Sequence, residues 1–114
     1  MGKKRVVISY GDYFEVFLKE QTPKEQVKIL QVLRLIEELE IIPVNLLKHI
    51  KGTDGLYEVR ISFGRKAFRI FCCFYAGNVV LLNAFLKKSQ KTPRERIDLA
   101  ELIMSKYKNE MNLN

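Results

Sequence analysis

Residues 56–85 hold the pattern that most restricts what this chain can fold into. Three runs rich in β-branched and aromatic residues, 56–62, 67–75 and 79–85, are separated only by Phe63-Gly64-Arg65-Lys66 and Ala76-Gly77-Asn78. Glycine-bearing connections that short join antiparallel neighbours, so these residues predict a meander. The first hairpin can be checked against itself. With the turn centred between Gly64 and Arg65, Ile61 faces Phe68, Val59 faces Ile70 and Tyr57 faces Cys72. These pairs are all apolar and share one side of the sheet. A slip of one residue would scramble them, so the pattern specifies its own register.

The rest of the chain supplies what this sheet packs against. Residues 5–10 are apolar and β-branched, and read as a first strand broken by Gly11-Asp12. Asp12 can cap a short helix over 13–19, with Phe14, Phe17 and Leu18 on one side. Thr22-Pro23-Lys24-Glu25 is a helix start: a capping threonine, proline at the first helical position, glutamate three residues after the cap. Ile29, Val32, Leu33, Ile36 and Leu39 follow at helical spacing, and Pro43 ends the helix near Ile42. Residues 45–54 read as irregular. Thr92-Pro93-Arg94-Glu95 repeats the start signature before a last helix whose apolar face is Ile97, Ala100, Met104 and Tyr107; residues 109–114 read as a frayed tail. The expectation is an α+β domain in the order β-α-α-β-β-β-α, with an antiparallel meander sheet, a helical hairpin on one face and a C-terminal helix.

At 114 residues the chain suits one domain, read as 1–108. Its formal charge of +7 suggests a polyanionic partner, although a lysine-rich surface can also serve solubility. The two cysteines, Cys72 and Cys73, are adjacent in an apolar run and read as buried thiols in a reducing cytoplasm. With one histidine, His49, no metal-ligand cluster is expected, and no apolar run is long enough to span a membrane.

The candidate chemistry lies on the meander's other face. The register that pairs the apolar residues also sets Arg60 opposite Arg69, with Glu58, Ser62, Phe71 and Cys73 on the same side. Like charges directly opposed on a sheet repel. Either Glu58 bridges them, or an anion such as phosphate sits between the two guanidinium forks. The run Lys87-Lys88-Ser89-Gln90-Lys91 follows directly from the last strand, so the sheet fixes its position. A three-residue loop in the second hairpin would set Phe85 across from Arg69, and a two-residue loop Leu86. Phe85 is then a platform for base stacking or part of the core. Asn83, Phe85 and Lys88, with Lys51 and Arg65 in flanking turns, complete the candidate RNA contacts. His49, outside the meander, reads as a surface residue rather than a proton shuttle.

The runs Gly52-Thr53-Asp54-Gly55-Leu56-Tyr57-Glu58-Val59-Arg60, Phe68-Arg69-Ile70 and Leu82-Asn83-Ala84-Phe85-Leu86-Lys87-Lys88-Ser89-Gln90-Lys91-Thr92-Pro93 together resemble the HigB-like branch of the RelE/ParE toxin superfamily. The likeness extends from Val6 to about Tyr107, and the element order matches. It implies a single RelE-like toxin domain of a type II toxin–antitoxin module, held in check by a cognate antitoxin of helix-turn-helix type. It further implies a ribosome-dependent mRNA endonuclease without cofactor or metal, in which the RNA 2′-hydroxyl attacks the adjacent phosphate. Arg60 and Arg69 would then clamp that phosphate, with Lys87 or Lys91 as general acid or electrostatic support. Glu58 or a lysine of lowered pKa would be the base. The sequence departs from relatives that carry a histidine on the last strand or near the C-terminus: Asn83 stands in that region, and the last helix has no histidine. Two other readings accompany this one: a ParE-like inhibitor of DNA gyrase, and an inactive relative that binds RNA or an antitoxin.

Overall fold

In the computed structural model, which describes residues 2–88 and 91–113, both hairpins of the meander are tight. The strands are β3 (Tyr57–Phe63), β4 (Lys66–Tyr75) and β5 (Asn78–Lys87). Gly64 at φ +60° opens the first loop as a type II′ turn requires. Ala76 and Gly77, at φ +51° and +80°, give the second the two positive φ values of a type I′ turn. β3 pairs antiparallel with β4 in the expected register, including Val59 with Ile70 and Arg60 with Arg69.

Two strands flank this trio. β1 (Val6–Ser9) pairs with the start of β5, and β2 (Leu47–His49) with β3, giving the order β1-β5-β4-β3-β2. β1 runs parallel to β5, so the sheet is mixed and not a pure antiparallel meander. β2 arises within residues expected to be irregular: Leu47 is buried against the sheet while Lys48 and His49 stay exposed, and three residues are too few to show a strand period in the sequence. The order is thus β-α-α-β-β-β-β-α.

Helices cover both faces. On one, α1 (Tyr13–Lys19) and α2 (Pro23–Glu38) bury Phe14, Phe17, Ile29, Val32, Leu33 and Ile36 against Val59, Ile61, Phe68, Ile70, Cys72 and Leu81. The capping box at Thr22 and Glu25 is complete. The Asp12 side chain, in contrast, makes no capping hydrogen bond to α1. α2 stops at Glu38, short of Ile42, because Leu39 turns extended and the Arg5 guanidinium takes up the carbonyls of Ile36, Leu39 and Glu40. On the other face, α3 (Arg94–Leu113) packs Ala100, Ile103, Met104 and Tyr107 onto Leu56, Phe71, Cys73, Val80 and Leu82. The tail expected to fray continues this helix. Tyr10 donates its hydroxyl hydrogen to Glu110 at 2.7 Å, and the Tyr10 ring packs on Tyr107. Among the described residues no helix is long and apolar enough to cross a membrane.

Candidate functional site

The decisive local feature lies on β5. Tyr75 pairs with Asn78, and this two-residue loop carries the pairing as far as Cys72 with Leu81; beyond it Ile70 pairs with Ala84. Leu82 and Asn83 together oppose Phe71, which is a β-bulge on β5. Neither loop length considered from the sequence accounts for the outcome. The loop is Ala76-Gly77, one residue earlier than the Gly77-Asn78 loop that would give Leu86; alone it would set Ala84 opposite Arg69, whereas the bulge advances the register and sets Phe85 there. Because side chains alternate with a period of two, the extra residue also exchanges the faces of everything after it. Ala84 and Leu86 turn to the core beneath α1 and α2, and Phe85 to the face beneath α3. Lys87 goes to the side of Arg60 and Arg69.

α3 covers the half of its face that bears Phe71, Cys73 and Val80. The cations gather on the other half. Glu58 sits between the two arginines, its Oε1 3.8 Å from Arg60 Nε and its Oε2 4.0 Å from Arg69 Nε. Glu58 therefore does bridge the opposed pair, but at ion-pair distances beyond hydrogen bonding. Arg69 is only 6% exposed and donates from Nη1 to the Phe68 carbonyl at 3.1 Å. Its Nε is buried without a hydrogen-bond partner, so this site holds a buried cationic donor that an anion would satisfy. Burial, and then Arg60, lower the Arg69 pKa, and Glu58 opposes them. Lys87 is also shifted down, chiefly by burial and then by Arg69, with Arg60 and Lys48 adding to the effect and Glu58 opposing it. That coupling marks Lys87 as part of the same cluster.

Two members were not foreseen. Lys48 pairs with Glu58 across β2 and β3 and so reaches this face. Thr92, read as a helix cap, instead donates its hydroxyl hydrogen to Glu58 Oε2 at 3.3 Å, and α3 starts at Arg94. The signal for Lys48 was the apolar Leu47 beside it. For Thr92 the sequence held no signal, since the contact spans elements far apart in the chain.

The remaining candidates divide. Lys88 and Lys91 are exposed beyond the end of β5, while Ser89 and Gln90 of the same motif lie outside the described residues. Arg65 and Lys51 are exposed at opposite ends of β3, so they do not join one cluster. Phe85 is 5% exposed, stacked on Phe71 with ring centroids 5.7 Å apart and covered by Arg96. It is part of the core on this face, and its ring is not open to a base. Asn83 is buried; its Nδ2 makes a long 3.5 Å contact with the Arg96 carbonyl, and its Oδ1 has no partner. His49 pairs with Tyr57, its ring against that tyrosine, on the face opposite the cations. Cys72 and Cys73 are buried on opposite faces, with both thiol pKa values raised by burial. Among the described residues no group of three or more His, Cys, Asp or Glu is placed to hold a metal ion.

Fold and site together define a small mixed α+β protein with a cation cluster built on one half of a sheet face. Residues 16–105 match the family model described as phage derived protein Gp49-like (DUF891), and the chain belongs to that family, a toxin-like family of toxin–antitoxin systems. The matched span runs from α1 into α3 and includes every member of the cluster. No curated protein matches the chain.

Proposed function

We propose that this protein is the toxin of a type II toxin–antitoxin module, a cytoplasmic, ribosome-dependent endonuclease that cuts mRNA by attack of the RNA 2′-hydroxyl. The observation that carries the reading is the convergence of Arg60, Arg69 and Lys87 around one carboxylate, with a buried Arg69 Nε lacking an acceptor. Cleavage of this kind needs negative charge stabilised on a five-coordinate phosphorus, one proton removed and one supplied. The 2′-oxygen bonds to phosphorus, the bond to the 5′-oxygen breaks, and a 2′,3′-cyclic phosphate and a 5′-hydroxyl remain.

In this reading Arg60 and Arg69 hold the non-bridging oxygens. Glu58, the one carboxylate in the cluster, takes the proton of the 2′-hydroxyl. Lys87, whose environment makes it a stronger acid than an ordinary lysine, gives a proton to the departing 5′-oxygen. Lys48, Lys88 and Lys91 add positive field along the path of the strand. The inhibitory partner is an antitoxin that neutralises this face.

The test is cleavage of an mRNA positioned in a programmed 70S ribosome, by wild type and by the Arg60→Ala and Arg69→Ala variants. The expected result is cutting within the A-site codon, reduced at least about a hundredfold in each variant. Folded wild-type protein that leaves the message intact would overturn the reading and make gyrase inhibition the next assay.

A further inference from the structure

Phe85, read from the sequence as either a stacking platform or core, is covered, and what covers it is itself a planar group. Arg96 Cζ lies 5.1 Å from the centroid of the Phe85 ring, which is stacked in turn on Phe71. The Phe85 ring thus contacts both Phe71 on the neighbouring strand and the Arg96 guanidinium of α3. Arg96 is exposed. A guanidinium over an aromatic face is held by cation–π attraction, and its own far side stays available. Its backbone is fixed as well, by the bond from Arg96 N–H to the Pro93 carbonyl at 3.0 Å and by the contact from Asn83 to the Arg96 carbonyl.

The position matters as much as the plane. Phe85 pairs directly with Arg69, and neighbouring strands lie about 4.8 Å apart. Arg96 therefore sits over the strand next to the one that carries Arg69. β1 leaves β5 after Leu81, and a groove of about 420 Å³ opens along the later part of β5, lined by Arg96, Phe85, Lys88, Lys66, Gln21 and Glu20 among others. A strand of RNA laid with one phosphate on the arginines would bring a neighbouring base over Arg96. Guanidinium planes stack on bases as aromatic rings do, and every base offers a π face.

We infer that Arg96 is the base-stacking platform of this protein, receiving the nucleobase next to the phosphate held by Arg60 and Arg69, with little preference among the four bases. This deepens the proposed function, on which it rests for the choice of RNA as ligand, but it is read by binding and not by cleavage. The probe is a labelled, cleavage-resistant 2′-O-methyl RNA oligomer, compared at low salt with a set of oligomers carrying one abasic position each. Wild type is expected to lose about tenfold in affinity when one particular base is missing. Arg96→Lys, which keeps the charge but not the plane, should bind the full oligomer more weakly and show no penalty at that position. No position-dependent penalty in wild type, a penalty kept intact by folded Arg96→Lys, or no binding of the oligomer at all would each overturn the inference. If the penalty is found in a protein that does not cut ribosome-bound mRNA, the platform stands and only the nuclease reading falls.

Discussion

At Lys87, burial and the neighbouring Arg69, Arg60 and Lys48 all disfavour the ammonium, and Glu58 offsets them only in part. The folded-state pKa is thus below that of the unfolded chain. At neutral pH both states are protonated, and the folded state carries the whole penalty. Between the lowered pKa and the ordinary lysine value the unfolded chain binds more protons, so wild-type stability rises with pH there. Lys87→Met removes the penalty. It is expected to melt above wild type at pH 7, with the advantage shrinking as pH climbs through that interval, and to cut mRNA poorly. Thermal melts of both proteins across pH 7–11 check this, and a variant that melts below wild type at pH 7 contradicts it. A site that sacrifices stability for its chemistry behaves this way.

Among the elements, β5 bears the heaviest constraint, because it enters through a tight hairpin and changes face at its bulge. The hairpin holds Ala76 at φ +51°, a left-handed conformation in which Cβ is crowded. Asparagine tolerates that region, and Asn-Gly is the preferred pair for a type I′ turn. Ala76→Asn should therefore stabilise the fold by about 1 kcal/mol, seen as a higher denaturant midpoint with unchanged slope. An unchanged or lower midpoint would mean the turn is not under strain. The alternation of apolar residues around the first hairpin was legible in the sequence because both strands are continuous there. The bulge was not. Leu82 and Asn83 obey the same local preferences whether they straddle the sheet or share a face, and the choice falls to packing, with Leu82 and Phe85 buried beneath α3 and Ala84 beneath the other helices. β2 escaped for a related reason, being three residues long and defined by its partner. Arg96 does fall in step with Ala100, Ile103 and Tyr107, a spacing that sets it on the sheet-facing side of α3, but only the position of Phe85 gives that spacing meaning.

Across the whole molecule, the formal charge of +7 is spread over many surfaces, and the sheet decides which cations act together. If the cations of this face neutralise phosphates of a single strand, log affinity should fall against log salt with a slope of about −0.7 per phosphate neutralised. Arg60→Ala should then lower the slope by up to about 0.7, while Arg65→Ala, at the hairpin turn, should leave it nearly unchanged. Titrations of the uncleavable oligomer at several salt concentrations measure both, and equal changes in the two variants would show binding to charge in general and not to this face.

By itself the sequence determined the elements and their local partners: the helix begun by the Thr22 and Glu25 box, the two hairpins, and the register that opposes Arg60 to Arg69. Those follow from steric preferences and periodicities acting over a few residues, which any chain with this order of side chains must obey. The tertiary structure alone decided that β1 runs parallel to β5, and that a bulge turns Phe85 and Lys87 toward the arginines. It alone brought Lys48 of β2, and Thr92 and Arg96 at the start of α3, to the same sheet face. These depend on how two helical layers compete to bury opposite sides of a single sheet, a balance set by packing across the molecule and written at no one place in the chain.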